Sequence, residues 1–406
     1  MTAAPEGSLP TSEREATLAA LRATVAQFAE KEVAPVLPDM DEREVFPEAT
    51  VRRMKELGFF GLPIPEEYGG LGLGKTGYCA VMEELSKVDA SHAAILGAHT
   101  SLGMTPLYYF GTEDQKQRYL APAARGERLM AFSLTEPGSG SDSGALVTSA
   151  REDGDFFVLN GEKIYVTNGA EADLVLVLAA NDVKLGPRGG ITAFLVEKGT
   201  RGFTLGRLER KMGLHGTSTA QLLFQDCAVP KANVLGEVGR GFVVAMTALD
   251  VGRLSLGAGS LGGMQGALRE ALSYAKNRLQ FDLPIVEHQA IQFKLADMAM
   301  HIHALKTMVY AAAEHQDRMG PRVKGWSRED RAKKTRDSAI IKCLASEWAT
   351  RTIHDALQIH GGLGYIRGTP IERAYRDARI SEIFEGTNEI QRLVVARDLI
   401  TRGWVD

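Results

Sequence analysis

The hydrophobic period of this chain changes twice, and that alternation restricts the available folds more than any single motif does. From about Ser12 to Leu120, apolar residues recur at helical spacing, as in EATLAALRATVAQFAEKEV and TVRRMKELGF. From about Ala131 to Pro230 the period drops to two, with β-rich runs DLVLVLAA, ITAFLVE and TAQLLFQD. From Gly241 the helical spacing returns and carries through VVAMTALDVGRLSLGAGSLGG and AIIKCLASEWATRTIHDALQIHGG. The pattern predicts an α+β, mainly α protein. Its expected parts are a flexible tail over residues 1–11, an N-terminal helical domain over 12–130, a central small β domain over 131–240 and a C-terminal helical bundle over 241–406.

Within the β zone, GDFFVLNGEKIYVTNG reads as a hairpin whose arms meet at Asn160-Gly161, a dipeptide that tolerates positive φ at both turn positions. Residues 316–336 are polar and read as a solvated loop or helix extension. The loop LPIPEEYGGLGLGK spaces Gly70, Gly72 and Gly74 like a dinucleotide fingerprint. It lacks the strand before and the capped helix after that such a motif requires.

Composition removes several classes of function. A net charge of −4 leaves no basic footprint for nucleic acid. Cys79, Cys227 and Cys343 lie far apart, which argues against a disulfide scaffold or a zinc site and for a reducing compartment. His301 and His303, two apart on a helix, face different directions and make a poor metal pair. The first residues lack the basic-then-apolar order of a secretory signal, and no apolar run approaches a membrane span. A soluble, cytoplasmic protein is expected.

Several stretches can carry chemistry. In AFSLTEPGSGSDSG, glycines at 138, 140 and 144 alternate with Ser139, Ser141 and Ser143. Such a loop offers N–H groups and hydroxyls to a phosphate or a polar ring edge, although it also reads as an ordinary mobile loop. Arg278 suits a bidentate phosphate clamp or a plain surface charge. Gly361-Gly362 in QIHGGLGY suits a helix end or a close backbone approach. Last comes FEGTN, ahead of an apolar helical run that begins at Ile390. Thr387 or Asn388 fits an N-cap, and Asn388 with Gln391 fits a relaxed capping box. The cap accounts for everything polar after Gly386, but Glu385 lies outside it. It is either a solvated acid or one with a task.

Taken together and in order, EEYGGLGLG, TEPGSGSD, YVTNG, KMGLHGTSTAQLLFQD, the Arg278 region, QIHGG and FEGTNEIQR resemble the acyl-CoA dehydrogenase family over nearly the whole chain. The resemblance implies an N-terminal helical domain, a central β domain and a C-terminal four-helix bundle. It implies an FAD enzyme that introduces a trans-2 double bond into a saturated acyl-CoA thioester. By position, Phe132, Leu134, Thr135 and Ser141 would line the flavin, and Tyr165, Val166 and Thr167 would pack against the isoalloxazine. Arg278, Phe281 and Gln289, with Gln358, Gly361 and Gly362, would hold the FAD of a neighbouring subunit. Thr387 and Glu389 would close over the cofactor. Ser141, Asp250, Arg253 and Gly386 match substrate-contacting positions.

Glu385 matches the catalytic base, which would take the pro-R α-proton while a hydride leaves the β-carbon for flavin N5. Its own N–H and a ribityl hydroxyl would bind the thioester oxygen. Some relatives carry the base just before the arginine of LDVGR, where this chain has Gly252. Two departures stand out: Tyr165 replaces a common tryptophan, and Asp282-Leu283-Pro284 replaces a common Gly-x-Pro. LGAHTSLG, KMG, NVLGEVGRGF and FEGTN are most similar to the very-long-chain branch, without its extra C-terminal domain. That implies a medium-to-long straight-chain substrate for fatty-acid β-oxidation or a specialised desaturation. A homotetramer is implied, with electron-transferring flavoprotein as the acceptor. The alternatives are an acyl-CoA oxidase using oxygen, a glutaryl-CoA-type decarboxylating enzyme and a non-catalytic CoA- or flavin-binding scaffold.

Overall fold

The structure, a computed structural model, describes residues 11–320 and 323–403. The expected tail lies outside the described residues except for Thr11, which opens helix α1 (Thr11–Phe28). Two further helices of the first zone matter for the site, α2 (Gly74–Ser86) and α3 (Ala90–Gly97). α2 is buried along nearly its whole length. Its carboxylates Glu83 and Glu84 are held by Arg22 of α1 at 2.7 and 2.6 Å. α3 begins at an N-cap, Asp89, whose carboxylate accepts from His92 N at 2.8 Å and so satisfies one of the helix's free N–H groups.

The middle zone is a seven-stranded sheet. Its members are β1 (Met130–Ser133), β2 (Ser149–Asp153), β3 (Phe156–Thr167), β4 (Leu174–Ala180), β5 (Ile191–Glu197), β6 (Phe203–Leu208) and β7 (Thr219–Pro230). β4 is buried at every position, which is why its sequence is continuously apolar rather than alternating. It lies parallel to β1 and antiparallel to β5. The expected hairpin is displaced. The chain turns at Gly154-Asp155, where Asp153 pairs with Phe156 and Gly154 takes φ +57°. Asn160-Gly161 lies inside β3 at a slip in the ladder to β7. Gly161 is needed there at φ +144°, where a Cβ would come within 2.6 Å of Thr148 Oγ1. The dipeptide's tolerance of positive φ serves a bulge rather than a turn.

The last zone packs four long helices, α4 (Gly241–Asn277), α5 (Gln289–Met319), α6 (Arg328–His360) and α8 (Asn388–Arg402), with the short α7 (Pro370–Ala378) at one end. Contrary to the sequence expectation, α4 has a membrane helix's length and apolarity over an 18-residue window. That window is 78% buried inside the protein, so α4 is the core helix of the bundle. Its glycines allow close approach: a Cβ on Gly262 would lie 2.0 Å from the Glu83 carbonyl oxygen of α2. Among the described residues of the polar segment 316–336 most extend helices, one of the two readings the sequence offered, since α5 runs to Met319 and α6 begins at Arg328. Trp326 is buried edge-on against Tyr109 at 5.2 Å, and the buried Lys334 sets its ammonium 4.9 Å from the centre of the Trp326 ring.

Candidate active site

Helices α2, α3, α4, α6, α7 and α8 enclose, with the sheet, a cavity of about 1600 Å3. A single small-molecule site takes about 300–1,000 Å3, so this one has room for two ligands side by side. Glu385 stands in its wall. The residue occupies a left-handed backbone conformation, φ +57°, which costs a non-glycine residue about 1–3 kcal/mol and persists only where neighbours enforce it. They do so through its carbonyl oxygen. Arg253 of α4 donates to it at 3.1 Å, and Gln391 of α8 donates to it at 3.2 Å and to the Gly386 carbonyl at 2.9 Å. Thr387 caps α8 by accepting from Ile390 N, so Asn388, the other candidate cap, is the first residue inside the helix. Asn388 joins no capping box. Lys342 of α6 donates to its Oδ1 at 2.8 Å, and its Nδ2 donates to Ser346 at 2.9 Å.

This frame leaves one carboxylate oxygen free. Glu385 Oε2 is shut off from solvent and has no hydrogen-bond partner. Room for it comes from Gly252, where a Cβ would fall 2.2 Å from Oε2. Burial pushes the Glu385 carboxyl up to about 7, while the charges of Arg253 and Lys342 pull the other way. Lys342 is itself lowered to about 8 by burial, against the opposing pull of Glu385. An unpaired carboxylate with an affinity for protons near neutrality is fitted to remove one. Below it, Asp250 accepts from Arg253 at 3.1 Å and from Thr335 at 2.7 Å, which fixes the arginine's plane.

The opposite wall belongs to the sheet. A buried ion pair, Lys163 to Glu136 at 2.7 Å, pins the TEPG turn to β3. Lys163 also donates to the Leu134 carbonyl at 3.0 Å, and Glu136 accepts from Val147 N and Thr148 N. With its partners satisfied, such a network rigidifies the loop it holds. The loop 134–144 is therefore a fixed ledge, with Leu134, Thr135, Ser141 and Phe132 facing the cavity. Tyr165 projects beside it at φ +59°, 62% exposed and stacked on no protein ring among the described residues. A bare aromatic face, a rigid polar ledge and a cavity of this size fit a flavin.

Thr167, Asp250, Arg253, Gly386 and Thr387 line the same cavity. Val166 does not: its side chain alternates to the other face of β3 and is buried in the sheet core. Glu389 is exposed on α8 and does not line the cavity. Arg278, Phe281, Gln289, Gln358, Gly361 and Gly362 also lie outside it. They gather on one exposed face where α4 and α6 end and α5 begins, with Phe281 87% exposed. Sequence reasoning missed Lys342, Gln391 and Thr335. Each is a polar residue turned at least partly into the protein, beside neighbours that only the tertiary fold supplies. Phe384 and Leu249, also in the wall, carried only an apolar signal.

Three family models match in succession: the acyl-CoA dehydrogenase N-terminal domain over residues 15–127, the middle domain over 131–227 and the C-terminal domain over 239–400. The short-chain specific acyl-CoA dehydrogenase of Mus musculus mitochondria is 44% identical over 94% of this chain and 89% of its own length. Among solved structures, butyryl-CoA dehydrogenase from Megasphaera elsdenii superposes with a TM-score of 0.89 at 40% identity, covering 97% of this chain and 100% of that one. The acyl-CoA dehydrogenase of Bacillus anthracis, solved in complex with FAD, gives a TM-score of 0.87 at 37% identity, covering 98% of this chain and 68% of that one.

Proposed function

The chain belongs to the acyl-CoA dehydrogenase family, with FAD as its cofactor, and from that membership we propose that it oxidises the Cα–Cβ bond of a saturated acyl-CoA thioester with Glu385 as the base. The observation that carries this reading is the free oxygen of Glu385, buried, unpartnered and set in the cavity wall on a strained backbone. Glu385 Oε2 takes the α-proton and holds it, and the electron pair left on Cα becomes part of the new double bond. Bound FAD supplies the acceptor for the hydride that leaves Cβ. The Glu385 N–H, turned by the left-handed backbone, serves as a donor to the thioester oxygen, where negative charge develops. Arg253 and Gln391 occupy the Glu385 carbonyl and so keep the peptide from flipping. The ledge 134–144 and the Tyr165 ring would hold the cofactor in this cavity.

The cavity supports a medium-to-long acyl chain. It continues past Glu385 between α3 and α4, where Ala94, Gly97, Gly259 and Gly263 form the walls and Met82 lines the interior. The mouse relative's short-chain name sets the competing expectation. The exposed Phe281 face supports assembly of several copies, with a homotetramer as the proposed state, and electron-transferring flavoprotein is the proposed acceptor.

Anaerobic titration with butyryl-, octanoyl- and palmitoyl-CoA, followed in the visible spectrum, tests the reaction and the chain length together. Bleaching of the yellow band by octanoyl- or palmitoyl-CoA in preference to butyryl-CoA is the expected result. Preference for butyryl-CoA would overturn the chain-length reading alone. Glu385→Gln should keep FAD bound yet abolish bleaching, and a variant that still bleaches at the normal rate would remove Glu385 from the role. Peroxide release in air would move the reading to an oxidase.

A further inference from the structure

The stretch of the cavity that continues past Glu385 ends at charged groups with no part in the chemistry above. Beyond Gly97 its wall follows α3 back through Ala94, Ala93 and Ala90 to the N-cap Asp89, where α7 packs against α3 and contributes Arg373. Arg373 is 8% exposed and lines the cavity, yet its guanidinium makes no hydrogen bond and no ion pair among the described residues. Lys87, Arg269 and Arg376, which also line this end, are matched, by Glu84 at 2.6 Å, Glu30 at 2.7 Å and Asp41 at 2.6 Å. A buried cation left without partners is the exception in a folded protein.

Near it stands a carboxylate oxygen in the same condition. Asp89 Oδ2 accepts from His92 N at 2.8 Å and lies 2.6 Å from His92 Nδ1, while Asp89 Oδ1 is shut off from solvent and unpartnered. Burial works to raise the Asp89 carboxyl, but the bonds and charge of His92 and, last, the charge of Arg373 hold it below its usual range. The two groups are therefore within electrostatic reach and are not joined. Asp377, the other acid of this end, is occupied by Leu214 N. A donor and an acceptor in this relation are completed by one group able both to accept and to donate, and a hydroxyl is the smallest that can. A carboxylate would accept from Arg373 but meet Asp89 as a like charge. A methyl end would strip both polar groups of water and return nothing.

The distance from the base places that hydroxyl on the chain. Leu102 lies beside Glu385 Oε2, since a Cβ on Gly252 would come within 2.9 Å of the one and 2.2 Å of the other. The helical run from Leu102 back to Ala90 is unbroken and covers roughly 18 Å. An extended chain advances about 1.2 Å per bond, so about twelve to fifteen carbons bridge it. Resting on the acyl-CoA reading above, we propose that the far end of this cavity is a hydroxyl subsite, where Arg373 donates to and Asp89 accepts from the ω-hydroxyl of a long-chain acyl thioester, which makes ω-hydroxyacyl-CoA the preferred substrate class.

The test compares ω-hydroxypalmitoyl-CoA, palmitoyl-CoA and hexadecanedioyl-CoA on the FAD-loaded protein. Turnover is measured on the wild type, and binding by calorimetry in the Glu385→Gln background, which halts the reaction. A hydrogen bond to a charged group predicts a kcat/KM for the hydroxy thioester roughly ten- to a hundredfold above that of palmitoyl-CoA, with the gain in KM. Arg373→Met fills similar space without a donor and brings the two thioesters level, whereas Arg373→Lys keeps the charge and recovers part of the preference. The wild-type ratio decides even where a variant fails to fold. Equal values for the hydroxy and plain thioesters overturn the proposal, as does a preference that survives in Arg373→Met. A preference for the dicarboxylic thioester also overturns it and assigns Arg373 to an anion. Tighter binding of the hydroxy thioester that Arg373→Met loses, with bleaching of the wild type by none of the three, supports the subsite and sinks the dehydrogenase reading instead.

Discussion

Arg253 Nε lies 3.1 Å from the carbonyl oxygen of Glu385, 132 residues further along the chain, and so ties the core helix α4 to the turn that carries the base. The same guanidinium bonds Asp250, whose other oxygen accepts from Thr335 of α6. Arginine is needed for its fork: two directions of donation fixed in one plane. Arg253→Lys keeps the charge and loses the second direction, leaving the left-handed Glu385 peptide held by Gln391 alone. Misplacement of a reacting group by about 1 Å can cost about a hundredfold in rate, so kcat should fall roughly ten- to a hundredfold. The bleaching rate on a saturating acyl-CoA reads this directly. A lysine variant at wild-type rate would show that the fork is dispensable.

The pH profile follows from the same neighbourhood. The base acts unprotonated, and burial puts its midpoint at about 7, so turnover should rise with pH through neutrality and level off above it. Arg253 and Lys342 both hold that midpoint down. Lys342→Met removes one buried cation, Glu385 binds its proton more tightly, and the rising limb of kcat moves to higher pH. A limb that stays in place would mean that Lys342 acts only by anchoring Asn388.

The three zones were legible because a period of two cannot be mistaken for one of 3.6 over a hundred residues. The alternation of β3 and the continuous apolar run of β4 are present in the bare sequence. The turn was misplaced because Asn160-Gly161 and Gly154-Asp155 are both plausible breaks, and only the pairing of Asp153 with Phe156 separates them. Glu385 stood out as an acid that no helix cap required. What set its chemistry did not: Gly252, Arg253, Lys342 and Gln391 converge on it from three helices, and nothing local marks any of them as its neighbour. Val166 was included because the motif was taken as a block, whereas strand alternation turns it away from the cavity.

Gly252 gives the sharpest steric prediction. A Cβ there would sit 2.2 Å from Glu385 Oε2 and 2.8 Å from its Cδ, so Gly252→Ala must push the carboxylate aside. Helix propensity works the other way, since alanine in place of glycine favours a helix by about 1 kcal/mol. The variant should therefore bind FAD, melt at or near the wild-type temperature, and lose at least tenfold in kcat. Normal turnover would show that the carboxylate has slack which the packed turn does not suggest.

Asp377 of α7 offers a separate test by stability. It is buried, lies near the carboxylate of Asp89, and accepts from Leu214 N at 2.5 Å. Burial first, and Asp89 second, raise its carboxyl to about 7, against the opposing charges of Arg376 and Arg373. The unfolded chain releases this proton near 3.9, so between roughly pH 4 and 7 the native state binds more protons than the unfolded one. Stability from this group is therefore present at low pH and is lost as pH rises through about 7. Asp377→Asn copies the protonated form, retains an oxygen for the Leu214 N–H and does not titrate. Its melting temperature should exceed the wild type's at pH 8, and the difference should shrink towards zero as pH falls to about 4. A constant difference across that range would mean that the Asp377 proton is not linked to folding, and that Arg373 and Arg376 balance the charge outright.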